Sequence, residues 1–251
     1  MQITVSNDFR QLEPWLRSMP QLFSNGEGEL LYQGRNTVRV YRKDGLLLVV
    51  KQFKRHNWLK RFVYTFLRKN KARRAYENAS QLRQHGYSTP QEVACMEERH
   101  WCTIRQVYYV CLYTEAQPIR PRLIEQEPFD QPLATAYARF VARMHEAGVL
   151  HRDLNPTNVL YTVQADGQYA FELIDINRME FFDGPVPKPE SMENLTLFYW
   201  ITPAYLFILK EYAAARGWTD DDIAEAIRIK ERHDRNWVRR KRITHPFSYK
   251  R

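Results

Sequence analysis

One run of the sequence places an aspartate and an asparagine at a spacing suited to phosphoryl transfer. Asp153 is followed five positions later by Asn158, within His-Arg-Asp-Leu-Asn-Pro-Thr-Asn at 151–158. In phosphoryl transfer an aspartate accepts the proton of the acceptor hydroxyl, and an asparagine at this spacing binds a metal ion. A tight loop can aim the carboxylate at the acceptor while it folds the amide back towards the metal. The run therefore predicts Asp153 as the catalytic carboxylate and Asn158 as a metal ligand.

A second carboxylate follows an apolar stretch further along the chain. Asp175 stands in Leu-Ile-Asp-Ile-Asn at 173–177, at the end of a predicted strand. Mg²⁺ prefers carboxylate oxygens together with the phosphates of a nucleotide. Asp175 is therefore predicted to be the second metal ligand, and ATP and Mg²⁺ are the predicted cofactors.

Further candidates for binding the nucleotide lie in the first third of the chain. Lys51 ends the apolar run Leu46–Val50, and a lysine there could reach the α- and β-phosphates. Glu77 lies on a predicted helix and is expected to pair with Lys51. The turn at Gly34-Arg35-Asn36 stands where backbone groups could hold phosphates. A lone lysine at a strand end is usually an edge residue. The functional interpretation therefore depends on the combination: Lys51, Glu77, the 151–158 run and Asp175 follow one another in the order that phosphoryl transfer requires.

The predicted elements change character along the chain. The Asp44-Gly45 pair between two apolar runs predicts a β-hairpin. A helical pattern covers 57–84, and Gly86 ends it. After further strand-like runs, 134–147 predicts a clear helix, and the rest is mostly helical. The fold class is therefore α+β, with a small antiparallel sheet and one main helix in residues 1–113 and a mainly helical part in residues 114–251.

This order of motifs resembles the protein-kinase-like superfamily, and it is most similar to the lipopolysaccharide core kinase (Kdo/WaaP) family. The likeness rests on Arg73–Glu77, on Asp153-Leu154-Asn155, on Ile174–Arg178 and on an arginine-rich C-terminal helix. The resemblance implies a two-lobed kinase fold. It also implies transfer of the γ-phosphoryl group of ATP to a hydroxyl of Kdo or heptose on a lipid A-linked acceptor. Lys51 and Asp153 would then be the catalytic residues.

The departures from typical protein kinases are specific. Asn155 stands where a protein kinase carries a lysine, and Asn177 stands where it carries a glycine. A full glycine-rich loop is also missing, and these differences count against a typical protein substrate. Two alternatives stay open at this point: a RIO-like atypical protein kinase with an RNA-associated function, and a pseudokinase scaffold.

The chain carries a net charge of +9, which favours polyanionic partners. One basic segment coincides with the predicted amphipathic helix 57–84, and Gln52–Tyr76 contains no acidic residue. That helix could have a merely solvated basic face, or it could bind anionic lipid or RNA. The tail is basic as well around Trp237, through Arg228, Lys230, Arg232, Arg235, Arg239, Arg240, Lys241 and Arg242. The predicted partners are a lipid-linked sugar acceptor and an anionic membrane surface, with nucleic acid as the alternative.

The location of the protein is also predicted from sequence features. The N-terminus lacks the charged-then-apolar pattern of a signal peptide. The longest uncharged run, Asn194–Leu209, is shorter than the roughly 20 apolar residues that cross a bilayer. We therefore expect a cytoplasmic protein, peripheral at the inner membrane.

Overall fold

The computed structural model describes residues 1–54, 69–100 and 103–244, and the chain divides into two compact units. The first unit contains Met1–Glu115 and Leu173–Arg178, and the second contains Ala116–Glu172 and Met179–Arg251. Sequence patterns placed the division between residues 113 and 114 and left 173–178 in the second part. The structure instead assigns this short segment, which includes Asp175, to the first unit.

An antiparallel sheet is the main element of the first unit. Among the described residues it has six strands in the order β1-β5-β6-β4-β3-β2. The predicted hairpin is confirmed, because Asp44 and Gly45 adopt positive φ angles of 50° and 79° and join the adjacent antiparallel strands β3 and β4 at their ends. The strands are β1 (Gln2–Val5), β2 (Glu29–Gln33), β3 (Thr37–Lys43), β4 (Leu46–Gln52), β5 (Glu92–His100) and β6 (Thr103–Leu112).

Strand β4 divides its side chains between the two faces of the sheet. Leu48 and Val50 are fully buried in a core that they share with the N-terminal helices α1 (Glu13–Leu16) and α2 (Met19–Ser24). Successive side chains of a strand point to opposite faces. Lys51 therefore projects from the face opposite this core, in register with strands β3 and β6 on either side.

Helix α3 (Lys71–Gln84) packs against β5 and β6. It begins after Asn70, whose side chain accepts a hydrogen bond from the Arg73 amide at 3.0 Å. Its small buried face of Ala72, Ala75 and Ala79 allows close packing. Gly86 ends the helix with a φ of 80°, as predicted. Residues 57–68 of the predicted basic helix lie outside the described residues.

The second unit is mainly helical, as predicted. Gly148 follows its first long helix with a φ of 74°, and a Cβ atom there would lie 2.4 Å from the Gly184 carbonyl oxygen, so only glycine fits. In the part of this unit that the structure describes, short strands form two small sheets, ordered β10-β9-β7 and β11-β8. No helix in the described ranges combines the length and apolar character needed to cross a bilayer. The helices are α4 (Gln131–Glu146), α5 (Lys188–Leu195), α6 (Pro203–Ala215) and α7 (Asp220–Thr244). The strands are β7 (Gln117–Pro118), β8 (Val149–His151), β9 (Val159–Val163), β10 (Tyr169–Leu173) and β11 (Met179–Phe181). A helical turn covers Pro121–Glu125, and another covers Ile176–Arg178 in the first unit.

Candidate active site

The loop between β8 and β9 holds Asp153 and Asn158 together. The side-chain amide of Asn158 donates to the Asp153 main-chain carbonyl at 2.9 Å, which leaves its Oδ1 as the amide atom that can coordinate a cation. Asn155 Nδ2 donates to Asp153 Oδ1 at 3.3 Å. Leu154 is buried, and its side chain anchors the loop in the protein interior. The loop therefore fixes the direction of the Asp153 carboxylate through main-chain and amide contacts.

A fully buried set of polar side chains supports this loop. His151 Nδ1 accepts a hydrogen bond from the Asp153 main-chain N–H at 3.1 Å. Asn194 Nδ2 donates to the His151 carbonyl at 2.9 Å, and Asn194 Oδ1 lies 3.1 Å from His145 Nε2. Tyr212 completes the set, with its hydroxyl 2.8 Å from His145 Nδ1. The polar support of the loop thus extends from α6 through α4 and α5 to His151, two positions before Asp153.

The protonation state of His145 follows from these contacts. Asn194 uses its NH₂ group on the His151 carbonyl, so its oxygen must accept, and His145 must carry its proton on Nε2. Nδ1 then accepts from the Tyr212 hydroxyl. Burial lowers the pKa of His145 to about 3, with the nearby Arg216 guanidinium adding to the effect. The imidazole is therefore neutral and serves as a fixed support for the loop.

The first unit brings together the other two predicted residues, Lys51 and Asp175. Lys51 Nζ lies 2.7 Å from Asp175 Oδ1. Asn177 Nδ2 also donates to Asp175 Oδ1, at 2.5 Å. Asn177 is buried, and with the described residues its Oδ1 forms no hydrogen bond. The Lys51 ammonium and the Asn177 amide therefore both hold the Asp175 carboxylate.

The backbone around Asp175 has an unusual conformation. Asp175 has a φ of 55°, in the left-handed region that aspartate and asparagine tolerate better than most residues. The next carbonyl, that of Ile176, accepts a hydrogen bond from Asn78 Nδ2 of α3 at 2.7 Å. A carboxylate at position 175 and an amide oxygen at Asn158 are hard oxygen donors, which suits Mg²⁺.

The predicted ion pair between Lys51 and Glu77 is wrong. Glu77 lies 2.7 Å from Lys69 Nζ and 3.0 Å from Arg73 Nε, whereas Lys51 pairs with Asp175. The physical reason is the position of Glu77 on α3. Asn78 faces the 173–178 segment, and neighbouring residues of a helix point about 100° apart. Glu77 therefore points towards Arg73 of the same helix and towards Lys69, which precedes the helix.

The turn at residues 34–36 is compact. The Gly34 amide donates to the Asn36 carbonyl at 3.0 Å, and Asn36 Oδ1 accepts from the Lys54 amide at 3.2 Å. A Cβ atom at Gly34 would lie 2.4 Å from the Tyr32 hydroxyl, so a larger residue would require the exposed Tyr32 side chain to move. Arg35 is exposed. The turn is thus tied to the end of β4, where Lys51 lies.

Sequence patterns did not identify several residues that the structure places around the Asp153 loop and the Lys51–Asp175 pair. His145 and Asn194 lie in helical runs, where a polar residue on an apolar face is the only local signal. Lys71 is one of several basic residues at the start of α3, and Asn78 is a single polar residue within that helix, so neither has a distinctive local pattern. Lys230 is one of the basic residues of the tail, and the structure shows that it is buried and pairs with Asp234 at 2.6 Å.

Comparisons with known proteins agree with this geometry. The model of the lipopolysaccharide kinase (Kdo/WaaP) family matches residues 18–228. The chain is also similar to a solved structure described as WaaP in complex with acyl carrier protein, with a TM-score of 0.62 and 20% sequence identity. The alignment covers 94% of this chain and 99% of that one. The search of curated proteins gave no match. The structural likeness confirms the predicted protein-kinase-like fold.

Proposed function

The chain belongs to the lipopolysaccharide kinase (Kdo/WaaP) family and is therefore an ATP-dependent phosphotransferase, and we propose that its acceptor is a hydroxyl of an inner-core sugar, Kdo or heptose, linked to lipid A. The observation that carries the catalytic part of this proposal is the ion pair between Lys51 and Asp175. A lysine that can neutralise phosphates and a carboxylate that can bind a metal are both needed to move a phosphoryl group. The family match supports the choice of a sugar acceptor.

Each residue has a defined task in the proposed mechanism. Asp153 orients the acceptor hydroxyl and accepts its proton, and Asn155 helps to hold the carboxylate in place. Lys51 exchanges the Asp175 carboxylate for phosphate oxygens when nucleotide binds. Asp175 and Asn158 would hold Mg²⁺, which neutralises charge on the phosphates. Most of the rate enhancement then comes from positioning and electrostatics.

The alternatives from the sequence are less well supported. Asn155 and Asn177 replace the lysine and the glycine of typical protein kinases. The family match favours a lipopolysaccharide kinase over a RIO-like protein kinase. A pseudokinase scaffold would not need Lys51, Asp153 and Asp175 together.

A row of arginines on α7 supports an additional proposal, that the enzyme binds an anionic membrane surface as a peripheral protein. Five exposed arginines recur three or four residues apart over about 21 Å of the helix. The other side of α7 is used within the protein, where Lys230 is buried and Trp237 packs edge-on against Trp200 at 5.0 Å between ring centroids. The arginine side of the helix thus offers positive charge to solvent. We call this set the arginine row: Arg228, Arg232, Arg235, Arg239 and Arg242.

Labelled ATP tests the proposed acceptor directly. Kdo–lipid A, heptosylated core and a panel of protein acceptors are each incubated with the enzyme, with Asp153→Asn as the inactive control. Transfer to one of the two sugar acceptors is expected. Transfer to protein alone, or autophosphorylation that RNA stimulates, would overturn the sugar assignment.

A further inference from the structure

Lys71 is the first residue of α3 and lies close to the Lys51–Asp175 pair. Its Nζ is 6.0 Å from the centre of the Phe53 ring, and Lys51 Nζ is 5.2 Å from the centre of the same ring. Lys71 is half-buried, and with the described residues it forms no ion pair. A cation at the N-terminus of a helix is also disfavoured by the helix dipole. The helix dipole therefore opposes the charge of Lys71, and an additional anion beside it would stabilise this position.

Other cations surround the same point. Burial lowers the pKa of Lys71, and the charges of Arg35, Arg178 and Lys51 lower it further, while Asp175 opposes them. The charges of three other basic side chains thus act on Lys71, against the opposing charge of the Asp175 carboxylate. Like charges held close together reduce the stability of a fold unless a ligand of opposite charge binds among them. The excess of positive charge is suited to a polyanion.

These groups come from four separate places in the first unit. Arg35 lies in the turn between β2 and β3, Lys51 near the end of β4, Lys71 in the first turn of α3, and Arg178 in the segment after Asp175. Two hydrogen bonds connect the elements: Asn36 accepts from the Lys54 amide, and Asn78 donates to the Ile176 carbonyl. The cluster is therefore part of the fold of this unit.

We propose that Lys71 is a second phosphate-binding lysine that contacts the triphosphate of ATP beside Lys51. Helix α3 then contributes a cation to the nucleotide site, whereas its carboxylate Glu77 points elsewhere. With Arg35, this lysine would supply charge in a chain that lacks a full glycine-rich loop. The inference rests on the proposed function in one respect, namely that Lys51 and Asp175 mark the nucleotide site.

Calorimetric titration of the full chain tests the proposal. Mg-ATP and adenosine are titrated into wild type, Lys71→Gln, Lys71→Arg and the control Lys43→Gln. Lys43 lies at the end of β3 beside Asp44, so its replacement removes the same charge away from the cluster. Lys71→Gln should weaken ATP binding about tenfold or more, as expected for a lost charged hydrogen bond, and leave adenosine binding unchanged. Lys71→Arg should retain part of the affinity, and Lys43→Gln all of it.

Thermal unfolding without nucleotide separates binding from structure. The Tm of Lys71→Gln should equal or exceed that of wild type, because the change removes a desolvated charge from among like charges. Unchanged ATP affinity in Lys71→Gln, with wild type binding ATP, would overturn the proposal and leave the proposed function standing. A lowered Tm with equal loss of ATP and adenosine binding would also overturn it, in favour of a structural lysine. Failure of wild type to bind ATP would overturn the proposed function itself.

Discussion

Lys51 and Asp175 form a 2.7 Å ion pair although 124 positions separate them in the chain. Both side chains are mostly buried, with 19% and 28% of their surfaces exposed. The pair connects the end of β4 to the segment that follows β10. It places a candidate phosphate-binding cation directly against a candidate metal ligand, and the first two predictions follow from it.

Replacing Asp175 by Asn should abolish transfer and leave the fold intact. Asparagine tolerates the left-handed backbone at this position, so the change removes charge with little strain. We expect kcat to fall by about 10³-fold or more, because a metal ligand is lost. Asp183→Asn, at an exposed position of the second unit, is the matched control and should keep full activity. Near-normal kcat for Asp175→Asn at ordinary Mg²⁺ concentration would remove Asp175 from the site.

Lys51 should be energetically coupled to Asp175 and independent of Glu77. In a double-mutant cycle on ATP affinity, Lys51→Ala and Glu77→Ala should be additive to within about 0.5 kcal/mol, since the two side chains do not meet. Glu77→Gln alone should change kcat less than about threefold, because its ion pairs are largely exposed. A strong coupling between Lys51 and Glu77 would show that nucleotide binding rearranges α3.

Asn194 should act on catalysis through the position of the Asp153 loop. Asn194→Ala removes the donor to the His151 carbonyl and the acceptor for His145. We expect a loss of roughly 1–3 kcal/mol in the free energy of unfolding, together with a fall in kcat and little change in the KM for ATP. Asn236→Ala, on an exposed part of α7, is the control. Unchanged kcat in stable Asn194→Ala protein would show that the loop holds its own geometry.

His145 should make the protein less stable in mild acid. Its folded pKa of about 3 lies below the unfolded value near 6.5. Between these values the unfolded chain binds more protons, so stability rises with pH through this range and is complete above about pH 6.5. His145 contributes up to about 1.4 kcal/mol per pH unit to this slope. Urea unfolding at pH 7.5, 6.5 and 5.5 should show a smaller slope for His145→Gln than for wild type, and equal slopes would contradict the assignment.

The arginine row should control binding to anionic membranes. Changing Arg228, Arg232, Arg235 and Arg239 to Gln should weaken binding to phosphatidylglycerol vesicles by up to about 4 kcal/mol, and less at high salt. Activity on a short soluble sugar acceptor should barely change. Activity on membrane-embedded acceptor should fall, mostly through a rise in KM.

A matched control removes the same charge from exposed positions outside the arginine row, at Arg10, Arg17, Arg42 and Lys210. The control variant should keep its affinity for vesicles. Equal losses in both variants would mean that only net charge matters. Loss of RNA binding, with vesicle binding unchanged, would assign the arginine row to RNA.

Local patterns predicted the parts of the fold that local physics determines. The Asp44-Gly45 hairpin, the helix that ends at Gly86 and the helix before Gly148 all depend on backbone conformations that few residues adopt. The loop with Asp153 and Asn158 was also recognisable, because phosphoryl transfer requires a carboxylate and an amide at this five-residue spacing. These features are contained in short stretches of sequence.

Contacts between distant segments could not be predicted in the same way. The partner of Lys51 depends on how α3 is rotated, and a rotation of one residue exchanges Glu77 for Asn78. The burial of Lys230 depends on Trp200 and Tyr205, which lie in other parts of the second unit. The spacing of the arginine row places Lys230 on the other side of α7, but that spacing alone does not show which side chains bury it.

The assignment of Leu173–Arg178 to the first unit has a consequence for the order of folding during synthesis. When the ribosome has completed residue 115, the sheet strands and α3 are all present, but Lys51 lacks Asp175 and Asn78 lacks the Ile176 carbonyl. The first unit can therefore reach its final form only after Ala116–Glu172 of the second unit has been translated. A fragment that ends at residue 115 should bind ATP poorly even if its sheet forms. Adding the segment 173–178 as a separate peptide should restore little binding, because in the intact chain the covalent connection gives this segment a high effective concentration.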